Sequence, residues 1–94
     1  MIAADVRQGR WADSAKLLAA ARAAEATDGV EQAACFMATP ANLDEARGMG
    51  LWDESMATAG PDDLVIVVGG QDPDSGLHAA AAVLEHLGGP AASR

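Results

Sequence analysis

The side chains best suited to chemistry gather in three short segments of this 94-residue chain. They are Arg7-Gln8-Gly9-Arg10-Trp11-Ala12-Asp13-Ser14, Thr39-Pro40-Ala41-Asn42 and Gly60-Pro61-Asp62-Asp63. Asp13 and Ser14 are residues that cap helices, so their plain use is structural. Their sharper use is recognition: a hydroxyl beside the free N–H groups of a helix start can hold an anion or a carbonyl. Arg7 and Arg10 add positive charge just upstream. No histidine lies near Ser14 in sequence, so nothing activates it as a nucleophile. Thr39-Pro40 is a second capped helix start, with proline where its missing N–H costs nothing. It brings Asn42 and another set of helix N–H groups. The candidate residues are therefore Arg7, Arg10, Trp11, Asp13, Ser14, Thr39, Asn42 and Asp62. They are expected to form a ligand or partner edge and not a catalytic centre. An interface is preferred to an enclosed pocket, because so short a chain rarely encloses several hundred Å³.

The remaining chemical residues point to no further site. Gly69-Gly70-Gln71-Asp72-Pro73-Asp74-Ser75-Gly76 is a glycine-rich strand-to-helix turn. It lacks the Lys and hydroxyl of a phosphate loop, and Asp72 and Asp74 would repel phosphate. His78 and His86 stand eight residues apart on one expected helix, too far along its axis to share a metal. Asp74 and His78, at i and i+4, are placed to form a surface pair. Cys35, the single cysteine, excludes an internal disulfide and a cysteine-based zinc cluster, and reads as an inert core thiol. Trp11 and Trp52 flank the candidate edge. Each suits an interface anchor or a cover over a thin core equally well. No metal and no cofactor is expected.

The charge balance narrows the partners. Six Lys and Arg against fourteen Asp and Glu give a net charge of −8. A chain so acidic lacks the basic face that nucleic acid requires, and is repelled by anionic membranes. No apolar run approaches a membrane span. The N-terminus lacks the basic and apolar regions of a signal peptide, so the expected location is the cytoplasm. Half of the residues are hydrophobic but only 3% are aromatic. Alanine makes up about a quarter of the chain, so the core is expected to be compact and built from small side chains.

Six elements must position the three segments. Ile2 to Gln8 alternates, with Ile2, Ala4 and Val6 on one face and Asp5 and Arg7 on the other, which predicts a strand with one buried face. A helix is expected from Asp13 to about Thr27, closed by Asp28-Gly29. Val30 to Ala38 reads as a second strand, and Ala41 to Arg47 as a short helix broken by Gly48 and Gly50. Leu51 to Gly60 reads as irregular or as one more helical turn. Leu64 to Val68 is the clearest strand: five consecutive branched apolar residues predict burial on both faces and a central place. Ser75 to Leu87 is the last helix, stopped by Gly88-Gly89-Pro90.

This order predicts an α+β, ferredoxin-like two-layer sandwich over residues 1–90, followed by a loose tail at 91–94. Its sheet has three strands in the order 1-3-2, with helices on one face and the fourth strand missing. A fully parallel α/β unit is the alternative. In the antiparallel arrangement the three segments converge at one end of the sheet, and the first strand has an unpaired edge that invites strand addition.

The same segments, with Met37-Ala38 before Thr39, with Gly50-Leu51, and with Leu64-Val65-Ile66-Val67-Val68 after Asp63, resemble the start of FdrA-family proteins. That family resembles acyl-CoA synthetases of the succinyl-CoA ligase type, and some members are associated with oxamate carbamoyltransferase activity. Gln8, Ala15 and Ala38 depart from the residues common there (Lys, Val and Gly). The sequence stops where the family's ligase-like domains begin. The resemblance implies a non-catalytic assembly domain or small subunit. Its expected partner is an FdrA-like ligase body, carbamoyltransferase subunits, or a second copy of itself. The alternative is a self-associating regulatory module that binds a small anion.

Overall fold

A computed structural model describes residues 1–88. The elements are β1 (Ile2–Arg7), α1 (Ser14–Glu25), β2 (Val30–Met37), α2 (Pro40–Gly48), a 3₁₀ segment (Glu54–Thr58), β3 (Leu64–Gly70) and α3 (Pro73–Gly88). The expected tail at 91–94 lies outside the described residues. β3 is central, and β1 and β2 flank it, both antiparallel to it, in the order β1-β3-β2. This is the small α+β arrangement that the sequence predicts.

Both faces of β3 are fully buried, as its apolar run requires. Leu64, Ile66 and Val68 face α1 and α3, where they meet Ala20, Ala24, Ala80 and Leu84. Small residues at the helix contact let α1 and α3 approach closely. Gly76 serves the same closeness: a Cβ there would stand 2.7 Å from Val68 Cγ1 and 2.8 Å from Val30 Cγ2. Val65 and Val67 face the other way, into a second cluster with Ala38, Ala46, Leu51 and Met56. The helices are thus not confined to one face. α1 and α3 share one, while α2 and the 3₁₀ segment lie over the other, beside β2 and β1 respectively. The two-sided burial of β3 demands that second cover, since five branched side chains cannot leave one face in water.

The two helix starts form as their residues dictate. The Asp13 carboxylate accepts the Lys16 N–H at 2.9 Å, and Thr39 Oγ1 accepts the Asn42 N–H at 3.2 Å. The end of α1 differs from expectation. Its last turn closes at Ala26, in ordinary right-handed geometry, with Thr27 Oγ1 donating back to Ala23 O at 2.9 Å. Gly29, at φ +88, instead shapes the turn into β2, where its carbonyl accepts the Asp72 N–H at 2.9 Å.

The hydrogen-bond phase of the sheet fixes what its edges present. The Gly70 N–H donates to Met1 O at 2.9 Å, and the two residues are opposite one another in register. Bonded and non-bonded pairs alternate along an antiparallel ladder. Ala3, Asp5 and Arg7 therefore pair inward with β3. Ile2, Ala4 and Val6 turn their N–H and C=O groups outward, where the described residues place no strand. On the other edge, Ala38 N–H donates to Asp63 O at 2.9 Å, so Met37 turns outward. Its carbonyl is already taken, by Asn42 Nδ2 and by the Thr39 N–H, each at 2.8 Å.

Candidate functional site

One residue, Asp63, ties the three segments together. Asp63 Oδ1 accepts the Gly9 N–H at 3.0 Å, and Oδ2 accepts the Gly60 N–H at 2.9 Å. The Asp63 carbonyl holds Ala38, one residue before Thr39. The segments do converge at the end of the sheet where β1 and β2 finish and β3 begins. The bonds from Gly60 and then Gly9 hold the Asp63 carboxyl below the ordinary aspartate range. Asp62, the acidic residue singled out by sequence, is exposed and takes part in none of these bonds.

The sheet separates what converges there. α1 lies over one face and α2 over the other, so their N-termini do not share a crevice. Thr39 and Asn42 are engaged within their own segment: Thr39 caps α2, and Asn42 closes the end of β2. Asp13 is engaged as a cap, and Ser14 is exposed beside it.

The residues on the α1 side form a concave feature of about 220 Å³. Ala12, Leu64 and Leu84 line it, together with Arg7, Arg10, Trp11 and Lys16. Arg7 is its fixed wall: Nε meets Asp5 Oδ2 at 3.0 Å, and a terminal nitrogen lies 3.6 Å from Glu85 Oε2. The polar face of β1 thus looks toward α3, while Ile2, Ala4 and Val6 join the second cluster. Sequence reasoning missed Lys16, Leu64 and Leu84 at this site. Lys16 carries a signal of its own, because a cation in the first turn of a helix opposes the dipole.

The two tryptophans have different surroundings. Trp11 is 73% exposed. Trp52 is half-buried against the second cluster, with the Arg47 guanidinium 4.0 Å over its ring. Asp74 and His78 line a shallow groove with Ala4, Asp5, Arg7 and Leu77, but no ion pair joins them. The side chain of His86 lies outside the described residues. Cys35 packs half-buried against the α1–α3 cluster. Burial pushes its thiol up to about 12, against a smaller opposing effect of Arg7. No group of three or more His, Cys, Asp or Glu gathers among the described residues. Nor, among them, is any helix long and apolar enough to cross a membrane.

No solved structure matches this chain. Its match is to a family model described as AllF, heavy metal-associated domain, which spans residues 1–94. With the match running from the first residue to the last, the chain belongs to the AllF heavy metal-associated domain family.

Proposed function

We propose that the chain is a non-catalytic assembly module of an FdrA-like acyl-CoA synthetase or carbamoyltransferase system, docking to its partner through the outer edge of β1. Family membership supports the association with AllF. The observation that carries the docking mode is the ladder phase. Ile2, Ala4 and Val6 direct three N–H and three C=O groups away from β3. An added strand would satisfy these groups and extend the sheet. At the opposite edge Ala33 and Cys35 also turn outward, but the end of the strand is taken, since Asn42 and Thr39 occupy the Met37 carbonyl. Whatever reaction the assembly performs would belong to the body that this module joins.

A heavy metal, which the family's description names, does not fit the described residues. A soft metal needs thiolate or imidazole ligands. The one cysteine is held as a thiol, with its ionisation pushed up to about 12. The turn from β1 to α1 carries Arg7, Arg10 and Lys16, which repel a cation.

The test is co-purification. The tagged chain should recover a ligase-like or carbamoyltransferase-like protein from its own cells in fixed proportion. Ala4→Pro should abolish that recovery while the fold persists. Proline is tolerated on an edge strand where the lost N–H faces away from the sheet, and its demand on residue 3 is for the extended backbone already present. If recovery survives Ala4→Pro, docking through the β1 edge is wrong.

A further inference from the structure

We infer that the cavity between β1, α1 and α3 binds a small organic anion, a planar apolar body carrying one carboxylate or phosphate group. This does not rest on the assembly reading, because the β1 edge plays no part in it. Half of the chain's six cations, Arg7, Arg10 and Lys16, line this one cavity. No acidic residue lines it. Asp5 and Glu85 answer the charge of Arg7 from outside, and the Asp13 carboxylate is turned to the Lys16 backbone N–H. Among the described residues, Arg10 and Lys16 form no ion pair.

The electrostatics of α1 disfavour these choices. Two unpaired cations stand at the positive end of α1, where the helix dipole disfavours them. An indole sits 73% exposed beside them. Such local conflicts with the fold are expected at functional sites. Each component specifies a part of the ligand. Ala12, Leu64 and Leu84 are nearly buried and leave a small apolar patch at the floor of a mostly polar lining, which gives a small apolar body a place to rest. The Trp11 face calls for a flat one. Arg10 and Lys16 at the rim call for an oxyanion. The volume, about 220 Å³, is below the roughly 300–1,000 Å³ of sites that enclose drug-sized ligands. That leaves room for about one ring within the cavity.

The test is an NMR titration of the full chain, following the two indole N–H resonances. Benzoate and phenyl phosphate are the probes; phenol and inorganic phosphate supply the body and the charge separately. The Trp11 resonance should shift saturably with at least one of the two probes, at a concentration at least tenfold below any effect of phenol or inorganic phosphate. The Trp52 resonance should stay in place as the internal control. The double variant Arg10→Ser, Lys16→Gln, checked for an unchanged unfolding temperature, should weaken the binding at least tenfold. Failure of both probes to give a saturable shift would overturn the proposal. So would an equal response to inorganic phosphate, or binding that survives in the double variant.

Discussion

Asp63 is the residue on which the converging segments depend, and its role makes acid a probe of the site. Its folded pKa is depressed by the Gly60 and Gly9 N–H groups. The stability it contributes is therefore present above the ordinary aspartate value, about 3.9. It is lost as pH falls below that value through the folded pKa. Urea midpoints measured at neutral and at acid pH should show a smaller drop in Asp63→Asn than in the parent chain. An equal drop would mean that the carboxylate does not hold the turn. Asp62 is the aspartate among the sequence candidates, whereas its neighbour Asp63 anchors the turn. The Gly60 bond is local and was within reach of turn chemistry. The bond to Gly9, across 54 positions, exists only once the sheet is assembled.

Other single residues separate in the same way. Cys35 was legible as an inert thiol from its apolar strand. It should resist a thiol reagent such as Ellman's at pH 8 in the native chain, and react fully in denaturant; rapid native reaction would contradict its burial. The tryptophans were not separable by sequence, since both flank glycine-rich turns. Trp52→Ala removes a ring packed on the second cluster and should destabilise by about 2 kcal/mol, below the 3–5 of a fully buried ring. Trp11→Ala should leave the denaturant midpoint nearly unchanged. Equal losses for the two variants would show that the exposed ring also supports the fold.

At the scale of elements, the strongest local patterns translated directly. The unbroken run Leu64 to Val68 is the central strand, and the Asp13 and Thr39 caps start their helices as read. Two elements were legible in kind but not in orientation. The alternation of β1 showed one apolar face, yet that face joins the second cluster on the side of the 3₁₀ segment, not the α1–α3 pair. Period alone cannot say which layer a face addresses. The placement of α2 across the sheet was hidden for the same reason, because its nine residues bury only Ala46 completely. Gly76 shows how packing overrides propensity. In an exposed helix, Gly→Ala gains about 1 kcal/mol. Here the new methyl would press on Val68 and Val30, and Gly76→Ala should instead destabilise by about 1–3 kcal/mol. A stabilised variant, read by thermal unfolding, would refute the close approach of α3.

For the whole molecule, two covered faces leave the sheet's edges as its remaining unsatisfied backbone. The strand order 1-3-2 was inferable because the strand buried on both sides must lie in the middle. The open side of β1 followed from that order. Which residues turn outward did not follow, since the phase of the ladder is set by the Met1–Gly70 bond. The α1-side cavity was half visible. Arg7, Arg10 and Trp11 are neighbours in sequence, but Leu64 and Leu84 arrive from β3 and α3 through the tertiary fold alone. Hydrogen exchange on the purified complex with the co-recovered partner tests docking at the β1 edge. The amides of Ile2, Ala4 and Val6 should exchange rapidly in the isolated chain and become protected in the complex, while those on the outer surface of α2 stay unchanged. A complex that forms with these three amides still exchanging rapidly would contradict docking by strand addition at β1.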